Sequence, residues 1–299
     1  MSRKFLDNCL FSLNNKFRGP VGLSHGSRRD YHFGLTRMVR ELHAGGIQIS
    51  HITHFKPRHV IYLVKKWQES GVMTSTIKNR LSQLRFLSQL IRRPDLMPKL
   101  NKDLDVGARI YISPVSKAIH EVDLSKFKNL LIHYSVQLQQ QFGLRREESI
   151  KFIASDADKG SHITLTASWT KGGIERNIPI TNDTQRVLLD EIKTKINKGN
   201  SLIPADKTYA YQRRVYDTAV YKAGYSNFHG LRHAYAQRRY LELTHELTQG
   251  KGWPAPHQGG KSKKDMSPDE RNIDRQARLI LSNELGHSRG QITQVYLGN

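Results

Sequence analysis

The sequence predicts a mainly α-helical protein of two domains, with one small antiparallel β-sheet in the second. Three observations carry this. Apolar residues recur at helical spacing over most of the chain, whereas only 162–168 and 174–180 have strand character. Residues 101–118, with Gly107 and the extended IYISP run, show no apolar pattern able to build a core, and so read as a linker. At 299 residues there is chain enough on either side for two cores. The expected boundaries are a helical domain at 1–100, the linker at 101–118 and a second domain at 119–299.

In chain order, residues 1–26 are polar and Gly-containing and predict a loose arm with a short helix at most. From Ser27 to His43, Phe33, Leu35, Met38, Val39 and Leu42 form a helical stripe that Gly45-Gly46 stops. Pro57 opens a second helix with Val60, Ile61, Leu63, Val64 and Trp67 on its buried side, ended by Gly71. Thr74 or Ser75 caps a third, carrying Ile77, Leu81, Leu84, Leu87, Leu90 and Ile91 and closed by Pro94. Its polar stripe holds Lys78, Arg80, Arg85, Arg92 and Arg93. Beyond the linker, helices are expected at 123–141 and 146–153. The two strands follow, with Lys171-Gly172-Gly173 in the turn between them. Asn182 caps a helix to Ile196, and further helices span 208–223 and 229–247. Residues 249–272, with four Gly, three Pro and four Lys, predict a solvated loop. A last helix is expected at 272–285, followed by the chain end three residues past Tyr296.

The formal net charge of +22 points to a polyanionic partner, because each Lys or Arg that neutralises a phosphate releases condensed counterions. Both halves share the excess. Residues 1–104 carry 19 Lys+Arg against 6 Asp+Glu, and residues 105–299 carry 29 against 20. No apolar run approaches the roughly 18 residues that span a bilayer, so nucleic acid is favoured over a membrane. The single cysteine, Cys9, excludes an intrachain disulfide and a Cys-rich zinc site, and fits a reducing cytosol. The N-terminus lacks the apolar run and cleavage site of a signal peptide. The expected location is cytoplasmic and DNA-associated.

Chemistry concentrates in a few strings. GLRREE at 143–148 supplies Arg145 beside carboxylates, with Arg146 as its neighbour. HGLRH at 229–233 supplies His229, Arg232 and His233. LGH at 285–287 supplies His287, and Tyr296 stands nine residues beyond it. Guanidinium forks match the geometry of phosphate oxygens and stay charged at working pH. Cationic neighbours also stabilise the charge that a phenol oxygen carries as it attacks. His229 and His233 have the i, i+4 spacing of metal ligands, but neither an HExxH string nor a cysteine cluster accompanies them, so no metal is expected.

The ordered set of Arg145, Lys171, HGLRH, LGH and Tyr296 resembles the tyrosine recombinase (phage integrase) family. STIKNRLSQLRFL likewise looks like that family's core-binding helix. The resemblance implies a two-domain clamp on double-stranded DNA, no cofactor, and a homo-tetramer on two duplexes. It assigns Tyr296 as nucleophile, Arg145 and Arg232 as phosphate clamps, Lys171 as acid for the leaving 5′ oxygen, and His229 and His287 as donors or proton shuttles. Glu148 would orient an arginine, and His233 would buttress the site by a hydrogen bond. Lys78, Arg80, Arg85, Arg92 and Arg93 would contact DNA. A type IB-like topoisomerase or a DNA-binding relative without catalysis would carry the same strings. Two departures stand out: 54 positions separate His233 from His287, with the excess at 249–272, and only three residues follow Tyr296.

Overall fold

The computed structural model describes residues 2–226, 228–287 and 289–299, so Asn227, in the approach to HGLRH, lies outside the described residues. The chain divides into two compact units, Met1–Ile110 and Tyr111–Asn299. The division falls inside the stretch expected to link them.

The first unit is helical: α1 (Ser2–Arg18), α2 (His25–Ala44), α3 (Pro57–Glu69) and α4 (Thr74–Leu90). The expected loose arm is in fact the 17-residue α1. Cys9, Leu13 and Phe17 recur every four residues and are buried with Leu35, Val39, Trp67 and Leu84 in the unit's core. Tertiary burial thus stabilises a helix whose many Asn and Ser residues mask its period. α3 opens on Pro57, and α4 begins at Thr74 with Met73, not Thr74 or Ser75, at the cap.

The polar stripe expected on α4 needs correction. Arg80 turns inward, its guanidinium 4.8 Å from the Trp67 ring and 3.9 Å from Glu41. Arg85 donates to Asn101, and Arg93 makes a two-pronged pair with Asp95. Arg92 is exposed and Lys78 half-exposed. The arginine stem is long enough to cover an aromatic face while its head pairs with a carboxylate, so helical spacing alone misjudged Arg80.

In the second unit Asp123 caps a 3-10 turn at Leu124–Lys126, and α5 (Leu130–Phe142) begins only after Asn129 caps it. Then come α6 (Arg146–Lys151), α7 (Ala154–Ala157), β1 (His162–Leu165) and β2 (Arg176–Pro179). The strands pair antiparallel, Ile163 opposite Ile178 and Leu165 opposite Arg176. They are shorter than expected because 166–170 coil into turns that seat Trp169 against Phe152. α8 (Asp183–Lys195) and α9 (Tyr209–Lys222) are capped by Asn182 and Thr208. α10 (His229–Leu247), α11 (Pro268–Glu284) and the short α12 (Gln294–Leu297) complete the unit.

The expected solvated loop at 249–272 is overturned in part. α11 starts at Pro268 behind a reciprocal Ser267–Glu270 capping box. Ahead of it, Ala255 and Met266 are buried. The Trp253 indole donates to the Tyr240 hydroxyl at 3.1 Å, and Lys261 pairs with Glu270. The segment is packed onto the unit's core through apolar residues that the surrounding Gly and Lys obscure in sequence.

Candidate functional site

α10 brings His229, Arg232 and His233 to one place, and α12 brings Tyr296 to meet them. Arg232 is fully buried. It donates through Nη1 to the Gly143 carbonyl at 2.6 Å, through Nη2 to the Leu285 carbonyl, and through Nε toward the Tyr296 hydroxyl at 3.4 Å. Gly143 ends α5 in the left-handed region (φ 62°), and a Cβ there would lie 2.4 Å from the Tyr235 ring. Glycine in GLRREE therefore meets both needs at once.

Tyr296 is 4% exposed. Its hydroxyl lies 3.2 Å from His287 Nε2, and the His233 ring meets it edge-on at 4.8 Å. The His229 and His287 rings are each centred 6.0 Å from the phenol ring. Gln237 donates both to the Tyr296 carbonyl and to the Ser116 hydroxyl, which ties α12 to α10 and to the chain entering the unit. The His233 ring thus packs on the phenol, and its Nδ1 is buried without a hydrogen-bond partner.

Arg145 sits at the N-terminus of α6. Its backbone N–H donates to Glu148 Oε2 at 2.7 Å and its Nη1 to Oε1 at 2.8 Å. The neighbouring Arg146 instead donates to Asp217. Glu148 is wholly buried and also receives Arg176, at 3.0 and 2.7 Å. Burial alone would raise the Glu148 carboxyl, but the bonds and charge of Arg176, with the charges of Arg232 and Arg145, hold it down at about 2. Burial, then the charges of Arg232, Arg145 and Arg176, lower His287 to about 4. His229 falls to about 4 through lost hydration, then Arg232 and Arg145. His233 also falls to about 4, through burial and then His229 and Lys117. The three imidazoles are neutral at pH 7, so they can accept as well as donate protons.

An open cleft of ≈ 650 Å³ lies against this cluster, lined by Arg145, Arg146, Lys171, Trp169, Tyr209 and His229 among others. Lys171 is exposed at the tip of the β1–β2 connection, where Gly172 and Gly173 both have positive φ. It shares the cleft with Arg145 and His229 but makes no contact with Tyr296. Among the described residues no three His, Cys, Asp or Glu side chains converge to hold a metal ion, and no helix is long and apolar enough to cross a membrane.

Two residues absent from the expected set join the cluster. Arg176 and Glu284 are both buried, with Glu284 held by Arg239 and the Tyr235 hydroxyl. The signal for Arg176 was present: strand alternation puts it on the same face as Ile178, which is the wrong face for an unpaired cation.

Residues 15–95 match the family model described as "Phage integrase, N-terminal", and residues 114–238 match that described as "Integrase". Similar folds occur in the Tn1549 transposon integrase in complex with circular intermediate DNA (17% identity, 97% of this chain and 95% of that one, TM-score 0.53). They also occur in the XerH recombinase bound to palindromic difH substrate (15%, 91% and 76%, TM-score 0.55). A lambda integrase dimer bound to a COC′ core site is similar as well (15%, 98% and 76%, TM-score 0.56). No curated protein matches the sequence.

Proposed function

Because the chain belongs to the phage integrase family of tyrosine recombinases, we propose that it is a site-specific recombinase that cleaves and rejoins duplex DNA through a 3′-phosphotyrosyl intermediate. The observation that carries this reading is the Tyr296 hydroxyl, 3.2 Å from a neutral His287 Nε2 and 3.4 Å from the Arg232 guanidinium. A phenol so placed has a proton acceptor and a fixed positive charge on either side of its oxygen.

In the proposed reaction the scissile phosphate enters the cleft beside Arg145. As Tyr296 Oη bonds to phosphorus, His287 takes its proton. Arg145 and Arg232 offset the charge growing on the nonbridging oxygens, the latter exchanging part of its carbonyl bonds for phosphate. The P–O5′ bond breaks, and Lys171 protonates the departing 5′ oxygen. A 5′-hydroxyl of a second strand then attacks the phosphotyrosine and releases Tyr296. Bond energy is conserved in the linkage, so no cofactor is required. His229 bridges the exposed and buried parts of the site, and His233 packs the nucleophile ring. The relatives' DNA complexes and the +22 charge support double-stranded DNA as partner. Exchange between two duplexes calls for a homo-tetramer. In the first unit, Lys78 and Arg92 are the members of the expected set best placed to meet a DNA backbone.

The test is covalent trapping. The protein is incubated with a randomised library of nicked duplexes, protein-linked DNA is recovered under denaturing conditions, and the digested adduct is mapped. The expected product is a nucleotide-bearing peptide containing Tyr296, with none from Tyr296→Phe although that variant still binds DNA. An adduct of undiminished yield in Tyr296→Phe would reassign the nucleophile. Supercoil relaxation without strand exchange would assign a topoisomerase.

A further inference from the structure

We propose that Arg176 is a positioning residue, whose one guanidinium locks the Glu148–Arg145 pair at the start of α6 to the turn that carries His287. The inference rests on the recombinase reading for its kinetic consequences but not for its geometry. Arg176 Nη1 and Nη2 grip the two oxygens of Glu148 at 3.0 and 2.7 Å. Arg145 occupies the same two oxygens from the other side, so Glu148 accepts four bonds and has one orientation open to it.

The third nitrogen of Arg176, Nε, donates to the Glu284 carbonyl at 2.9 Å, at the last residue of α11. The turn that follows holds Gly286 at φ +69°, where a Cβ would stand 3.0 Å from Arg176 Cδ and Nη1. The side chain therefore lies flat against the LGH turn, and His287 leaves that turn toward Tyr296. Arg176 also opens β2, five residues after Lys171 in the same hairpin. Three elements that each supply a site residue meet at this one side chain.

An ordinary buried ion pair needs charge, whereas this arrangement needs a planar fork with a third donor to the side. Lysine supplies charge without the fork. The Arg176→Lys variant therefore separates the two roles. In a merely structural role it loses stability but, where folded, cleaves at the wild-type rate. In a positioning role it binds DNA with unchanged affinity, yet its single-turnover cleavage at saturating DNA slows roughly 100-fold, the scale of an ångström-level misplacement. Gly286→Ala crowds Arg176 but also strains the turn that carries His287, so it is read at the Arg145 peptide, to which the Arg176 side chain connects that turn.

A second readout does not depend on cleavage. The Arg145 amide is bonded to Glu148, and the His287 amide to the Ser282 carbonyl. Arg176→Lys is expected to speed hydrogen exchange by about tenfold or more in both peptides, with distant peptides unchanged. Unchanged exchange at both sites overturns the proposal even if the wild type forms no DNA adduct, an outcome that would count separately against the recombinase reading. A wild-type rate in Arg176→Lys, or losses of affinity as large as losses of rate, also overturns it. Arg176→Gln serves as the charge-loss control, and the lysine and Gly286→Ala variants decide the matter should it fail to fold.

Discussion

Glu148→Gln removes the charge of the carboxylate that joins Arg145 to Arg176. The carboxylate accepts four hydrogen bonds from Arg145 and Arg176. A glutamine keeps one oxygen and turns an NH2 group toward the arginine donors. Held at about 2 against an ordinary 4.5, the carboxyl contributes roughly 3 kcal/mol to stability at neutral pH. Removing one partner of a buried pair costs about 3–5 kcal/mol by mutational precedent, so the two routes agree. The sign follows from the depressed value: the stabilisation is complete above the unfolded-state value and is lost as pH falls from about 4.5 toward 2. Urea unfolding followed by tryptophan fluorescence, at steps from pH 7 to pH 3, measures it. The expected gap between wild type and variant is about 3 kcal/mol at pH 7, or roughly 6–12 °C in the melting temperature of the second unit. It should shrink by about 2 kcal/mol by pH 3. A gap below about 1 kcal/mol at pH 7, or one that does not change with pH, would refute the reasoning.

Three further outcomes are expected. With His287, His229 and His233 all lowered to about 4, single-turnover cleavage should stay level from pH 7 to about pH 5 and fall only below that, as the imidazoles protonate. An inflection near 6.5 would mean that His287 is not shielded by burial and its arginine neighbours. Lys171→Ala should cleave ordinary DNA slowly and recover on a 5′-phosphorothiolate, whose sulfur leaves without an acid; equal impairment on both substrates would point to simple DNA contact. Trp253→Ala should cost about 2–3 kcal/mol in thermal unfolding, because the indole packs on the core and donates to Tyr240. A change within about 0.5 kcal/mol would return the inserted segment to the status of a solvated loop.

Much of this protein is readable from local pattern. Period and end signals locate α2, α3, α4, α8, α9 and α10 to within a few residues, because apolar spacing and residues such as Pro57 and Asn182 act over one or two turns. The order of GLRREE, HGLRH, LGH and Tyr296 names the residues that converge, since a short string carries its own side chains to whatever place the backbone takes them. Local pattern failed where burial came from afar. α1 looked like an arm because Asn and Ser residues interrupt its apolar period, and the core of α2–α4 is what buries Cys9, Leu13 and Phe17. Residues 249–272 looked like solvent-exposed chain because Trp253, Ala255 and Met266 reveal their role only against Tyr240 and α11.

The sequence by itself determined which chemical groups are available and which short elements carry them. Tertiary structure alone decided their partners. Arg80 read as a surface cation and Arg176 drew no notice within its strand, yet they became a cover for Trp67 and the clamp of Glu148. The reason is physical. An arginine's charge must be answered wherever it is buried, but its stem reaches partners dozens of residues away in the chain, and nothing in the local spacing records which carboxylate or carbonyl will be there.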